Sequence, residues 1–182
     1  SQVVDARGIV ASSSYDAAGR LTQSSISKAG TTKATVNHSY IRGMLSQLSR
    51  TAEGITQQYH FEYDVFGNIT NLSVGNHKLA EYTYEPKNGQ LKRQTYGNGD
   101  YTDFSYDTLN RVTESRTSGG DSYRYTYTGD GQLYRMEDTA DGVTYLYNYD
   151  TIGRLIGTSQ SGSSANLRAA YSYDDSNRLK SL

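Results

Sequence analysis

The 182-residue sequence has no cysteine and no tryptophan, and only one proline and two methionines. Without cysteine, disulfides and thiolate metal sites are excluded, although the compartment is left open. No apolar run approaches the ~20 residues of a membrane-spanning helix. The opening stretch, Ser1 to Gly8, has neither the basic nor the apolar region of a signal peptide. A net charge of −1 gives no electrostatic case for a nucleic acid or an anionic membrane. Aliphatic residues and phenylalanine are scarce too: Leu, Ile, Val and Phe together make 31 of the 182 residues. That is too few for an ordinary core. Eighteen tyrosines stand in their place, which suggests a thin aromatic sheet and not a thick globule.

Those tyrosines recur in a motif. Tyr149-Asp150-Thr151-Ile152-Gly153-Arg154-Leu155 follows an alternating strand-like stretch and leaves on an apolar residue. Aligned on the tyrosine before the turn, the copies begin at Tyr15, Tyr40, Tyr63, Tyr84, Tyr106, Tyr127, Tyr149 and Tyr173, at steps of 25, 23, 21, 22, 21, 22 and 24 residues. A near-constant period over the whole chain identifies a repeat architecture. About eight repeats in one uninterrupted series make residues 1–182 a single domain. Because Ser1 and Leu182 both fall within the pattern, that domain is expected to be a piece of a longer protein.

The motif predicts its own turn. The residues after Asp form a type I turn ending in a left-handed residue, a conformation that only Gly, and less readily Asn, adopts at low cost. Gly19, Gly67, Asn110, Gly131, Gly153 and Asn177 occupy that place, with Gly89 in a copy one residue longer. Asp16, Asp64, Asp107, Asp150 and Asp174 begin the turn, where a carboxylate accepts from the backbone two residues on. Facing them, Arg20, Arg111, Arg154 and Arg178 complete opposite-charge pairs that favour one register. Where the acid changes, the base goes with it: Glu85 accompanies Gln90 and Thr128 accompanies Gln132, while Asp64/Asn68 is the exception. The second copy, Tyr40 to Leu45, is degenerate, without an Asp and one residue short.

Each repeat divides into two short strands joined by Gly- and Asn-rich return turns, among them 28–30, 75–78, 97–99, 118–120 and 139–142, the last spanning 161–166. The expected fold is all-β: an antiparallel hairpin meander of about sixteen strands, curved or spiralling because so wide a sheet twists. Alternation places the tyrosine columns and the apolar residue after each turn on one face, and the Asp/Arg pairs on the other.

Tyr-Asp-x-x-Gly-Arg-Leu at a period near 22 resembles the YD repeat of Rhs-type proteins. That family includes bacterial Rhs toxins, the C subunits of insecticidal Tc complexes, wall-associated proteins and teneurins. The resemblance implies a β-strip that spirals into a hollow shell, enclosing a toxin or serving surface recognition, in a secreted or cell-surface protein. Its implied partners are the rest of the parent shell and the enclosed polypeptide. Toxin-bearing members end the shell in a self-cleaving core segment beside an Asp-Pro-rich motif. No such motif is present here, so only the scaffold carries over.

Candidate chemistry is sparse. The repeated Asp residues have turn and pairing explanations, and no calcium-loop pattern surrounds them. His38, His60 and His77 lack metal-ligand spacing. Neither a cofactor nor a catalytic residue is expected. The tyrosine columns are the one ambiguous feature, since aromatic rows bind sugars or peptides. Tyr82, Phe104, Tyr125, Tyr147 and Tyr171 are the candidate glycan-binding aromatics, giving an alternative reading as a glycan- or receptor-binding module. Open strand edges add self-association as a further expectation.

The turn assignment is testable. Gly153→Val forces a β-branched residue to positive φ and is expected to destabilise the protein by at least about 1–2 kcal/mol more than Ala17→Val. Equal melting shifts for the two variants would refute the assignment.

Overall fold

The structure, a computed structural model, describes residues 1–162 and 166–181. Residues 163–165 of the expected last return turn therefore lie outside the described residues. The described chain is all-β, with strands and turns and no helix. Its strands follow chain order in an antiparallel meander of sixteen, with one further pair. Strand contacts gather into two compact units, residues 1–83 with 95–99, and residues 84–94 with 100–182.

The first unit runs through β1 (Gln2–Val4), β2 (Ile9–Tyr15), β3 (Leu21–Lys28), β4 (Thr31–Ile41), β5 (Met44–Ala52), β6 (Ile55–Tyr63), β7 (Ile69–Val74) and most of β8 (His77–Tyr84). Three of its hairpins close through two residues that are both left-handed: Ala29/Gly30, Arg42/Gly43 and Glu53/Gly54. Such turns match the right-handed twist of the strands they join. The degenerate second copy is explained by this turn. Dropping one residue converts the Asp-initiated turn into a two-residue turn, and Ile41 pairs directly with Met44.

The second unit holds most of β9 (Leu91–Tyr96), then β10 (Tyr101–Tyr106), β11 (Val112–Thr117), β12 (Ser122–Tyr127), β13 (Leu133–Asp138), β14 (Val143–Tyr149), β15 (Leu155–Ser161) and β16 (Leu167–Ala170). β17 (Ser172–Tyr173) and β18 (Leu179–Ser181) pair only with each other. The continuous run of sixteen strands therefore stops before the last hairpin. At the interruption the Tyr171 amide donates to the Ile156 carbonyl at 3.0 Å.

Ile156 belongs to a feature that alternation did not reveal. In seven of the motif hairpins the exit strand carries one extra residue. Tyr15 pairs with Leu21 while Ser14 pairs with Gln23, leaving Thr22 unopposed. Ser46, Thr70, Thr113, Tyr134, Ile156 and Lys180 are the equivalents. A bulge at one fixed place raises local twist and reverses the facing of everything beyond it. It also explains why Tyr134 and Ile156 are 43% and 40% exposed in strands whose other apolar residues are half-buried.

The interior is thin. Among the described residues Ala80 is the buried apolar side chain, and Ser115 and Ser122 are the buried polar ones. Most tyrosine rings are half-buried. Stability therefore rests on many partial burials and on the hydrogen-bonded ladder.

Gly97 marks the tightest backbone approach. Its amide donates to the Leu79 carbonyl at 2.9 Å, and a Cβ there would stand 2.2 Å from the Lys78 carbonyl oxygen. Gly97→Ala is expected to cost about 2 kcal/mol or more, as an overpacked site does. Gly119→Ala, whose Cβ would meet only the Thr117 hydroxyl at 3.7 Å, is the control. Comparable denaturation midpoints for the two would contradict the close approach.

Candidate functional site

Each motif turn is a closed hydrogen-bonded unit. The Asp107 amide donates to the Arg111 carbonyl at 2.9 Å, and the Asn110 amide to the Asp107 carbonyl at 3.1 Å. Asp107 Oδ1 accepts from the amides of Leu109 and Arg111, both at 2.9 Å. Its Oδ2 accepts from Arg111 Nε at 2.7 Å. One carboxylate thus satisfies two backbone donors and fixes a guanidinium. Asp16/Arg20, Asp150/Arg154 and Asp174/Arg178 repeat the arrangement. In the third copy Asn68 Nδ2 supplies the bond to Asp64 Oδ2 at 2.9 Å, so a neutral amide keeps the geometry without the charge. A further turn of this kind was missed in the sequence. Asp5 accepts from the amides of Arg7 and Ile9, with Gly8 left-handed and the arginine placed two positions earlier.

Hydrogen bonds hold these carboxylates below their ordinary value of 3.8. The Arg111 amide leads for Asp107 and the Arg20 amide for Asp16, while the Asn68 side chain leads for Asp64.

In six repeats the tyrosine that precedes the turn has a partner that the sequence did not disclose. Its hydroxyl does not stay in water. Tyr40 Oη donates to the Leu21 carbonyl at 2.8 Å and Tyr63 Oη to the Leu45 carbonyl at 2.8 Å. In the second unit Tyr106, Tyr127, Tyr149 and Tyr173 donate to the carbonyls of Leu91, Val112, Leu133 and Leu155 at 2.7–2.9 Å. Every acceptor is the apolar residue that follows the turn of the preceding repeat. Burial pushes the Tyr106 and Tyr127 phenols up, so both remain donors at neutral pH.

The arginines do not point away from this row. Arg20 lies over the Tyr40 ring at 4.6 Å, Arg111 over Tyr127 at 4.6 Å and Arg154 over Tyr173 at 4.7 Å. This corrects the expectation that the Asp/Arg pairs occupy the face opposite the aromatics. Alternation fails at the turn, and the long side chain lies along the sheet onto the next repeat. Each arginine is thereby held by its own aspartate and stacked on its neighbour's tyrosine, an arrangement worth about 0.5–1 kcal/mol per stack at a partly exposed site.

In two of the repeats without the arginine, a glutamine makes a similar reach. Gln90 Nε2 donates to Asn110 Oδ1 at 2.9 Å and Gln132 Nε2 to the Gly153 carbonyl at 3.0 Å. Gln132 is thus a bridge to the next turn, not merely the consequence of a lost acid.

Among the candidate glycan-binding aromatics, Tyr82, Phe104, Tyr125, Tyr147 and Tyr171 are all half-buried. Tyr125 Oη lies 3.2 Å from the Ser115 hydroxyl. No cluster of His, Cys, Asp and Glu fit to hold a metal occurs among the described residues.

A family model described as Teneurin YD-shell matches residues 2–181. No curated protein matches the chain. Solved structures do share its fold. A crystal structure of TcdB2-TccC3-TEV has a TM-score of 0.75 at 18% identity, covering 98% of this chain and 10% of that one. One of TcdB2-TccC3 has a TM-score of 0.74 at 16% identity, covering 98% and 11%. A Photorhabdus luminescens Tc holotoxin pore with substituted TccC3 has a TM-score of 0.68 at 18% identity, covering 98% and 10%. The chain therefore spans about a tenth of the length of each of these structures.

Two expected outcomes test the site. Tyr127→Phe keeps the ring and its stack but loses the hydroxyl bond, and is expected to cost about 1 kcal/mol. Tyr134→Phe, at an exposed bulge, is expected to be neutral. Equal effects in urea denaturation would sink the hydroxyl's role. The second outcome concerns pH. Because the motif carboxylates titrate lower when folded than when unfolded, their contribution is fully present above the unfolded value. It is lost as pH falls through the folded values, so stability is expected to drop below about pH 4. An unchanged melting temperature from pH 6 to pH 2.5 would contradict it.

Proposed function

Since the chain belongs to the Teneurin YD-shell family, we propose that it is a non-catalytic stretch of shell wall in a longer secreted or cell-surface protein. There it encloses or displays another polypeptide. The observation that carries this reading is the staple between successive repeats, in which a tyrosine hydroxyl and a neighbouring side chain tie each turn to the next. Catalysis requires a few unlike groups converging on one point. This chain distributes like groups evenly, and most of its motif groups bond a neighbour.

The proposed partners are the remaining shell and the enclosed chain, and residues 1–182 are one repeat segment of the parent. Freed from it, the segment pairs with copies of itself through open strand edges. A glycan- or receptor-binding role for the tyrosine face is the weaker alternative, because its candidate rings are half-buried.

Protease protection in the full-length parent provides the test. Cargo is expected to survive digestion in the wild type and to become sensitive in a Gly97→Ala parent. Equal cleavage of the cargo in both proteins would overturn the enclosure reading. Purified segment is expected to show no hydrolase, transferase or self-cleavage activity. A reaction abolished by one Asp→Asn change, with the fold intact by circular dichroism, would overturn the non-catalytic reading.

A further inference from the structure

The second repeat departs from the others, and its departure leaves an opening. Aligned on the apolar residue after the turn, Met44 stands where Arg20, Arg111 and Arg154 stand elsewhere. In those repeats a guanidinium covers the next tyrosine ring. Among the described residues no such cation covers Tyr63. A cleft of about 380 Å³ opens beside it instead, lined by Met44 and Phe61 and by the exposed Ile41 and Val65. The Met44 sulfur would lie 3.7 Å from a Cβ on Gly67, much as Arg20 Nη1 would lie 3.9 Å from one on Gly43. Methionine thus covers the turn as arginine does, without bringing charge.

The lining of this cleft also carries a net negative charge. Asp64, which lines it, is bonded by the neutral Asn68 and not by a guanidinium. Glu62 lines it too and has no ion-pair partner among the described residues. Against these two carboxylates the lining offers one cation, Arg42, itself unpaired among the described residues.

We propose that this cleft binds an arginine side chain of another polypeptide. The guanidinium stacks on Tyr63 and pairs with Glu62, while its methylene stem lies on Met44 and Phe61. The same molecule displays the fit in three other repeats, with guanidinium carbons 4.6–4.7 Å from the ring centroid. Arginine suits the place better than lysine because its plane stacks on an aromatic face and still offers paired donors to a carboxylate. Its apolar stem covers the cleft wall while the head stays polar.

The test titrates the purified chain with acetyl-Leu-Arg-Leu-amide and with the same peptide carrying citrulline, a neutral isostere. The readouts are the Tyr63 ring and Met44 methyl resonances. The arginine peptide is expected to shift both, and the citrulline peptide to bind about fivefold more weakly. Met44→Arg supplies an internal guanidinium and is expected to abolish the shifts with an unchanged circular dichroism spectrum. Glu62→Gln, at an exposed position, is expected to weaken binding while the protein stays folded. Equal binding of the two peptides, no binding of either, or shifts that persist in Met44→Arg would overturn the proposal. These outcomes do not depend on whether the parent protein forms a closed shell.

Discussion

The structure depends on a tyrosine hydroxyl reaching back one repeat. A sheet this poor in aliphatic residues cannot rely on buried volume, and among the described residues no large side chain is fully buried. Stability has to come from interactions that recur along the chain. The hydroxyl bond to the carbonyl after the preceding turn is such an interaction. It satisfies an acceptor, fixes the ring, and links repeat to repeat independently of the backbone ladder. A net contribution of about 0.5–1.5 kcal/mol per bond is modest. Repetition makes it decisive, as in other repeat proteins whose stability sums nearest-neighbour terms.

The rest of the motif serves that bond. Asp closes the turn through two backbone amides and so places the following apolar residue's carbonyl. Its second oxygen holds an arginine flat, and the arginine then lies across the next ring. The left-handed Gly or Asn permits the turn, and the bulge beyond it adds twist at the same point in successive hairpins. Each part can be replaced where a substitute keeps the reach. Asn68 bonds Asp64 in place of an arginine, and Gln132 bridges to Gly153. The second repeat, with its shortened turn, keeps the hydroxyl bond to Leu45 but loses the cation. Variation is thus tolerated in the charge and not in the clasp.

Much of the fold was legible in the sequence, and for a physical reason. The period of tyrosines, the Gly or Asn at one offset and the Asp at another are all local constraints, and local constraints are written in adjacent residues. They led to hairpins, to turn positions and to an all-β meander. The Asp5 turn escaped because its arginine sits two positions early, although the Asp-x-x-Gly spacing was present as a signal. The bulges escaped because Thr22, Thr113 and Ile156 are ordinary strand residues. Nothing in their chemistry marks them as unopposed.

By itself, then, the sequence determined the repeat, the turn chemistry and the secondary structure, since each depends on residues only a few positions apart. Tertiary structure decided which groups meet across a repeat. Tyr127 and Val112 are bonded at 2.7 Å though fifteen positions apart, and Arg111 stacks on a ring sixteen positions away. Such meetings require knowing how far a bulge shifts the register and which way a long side chain lies. Counting by twos gave the wrong face for the arginines because the turn and its bulge break the alternation on which the count relies.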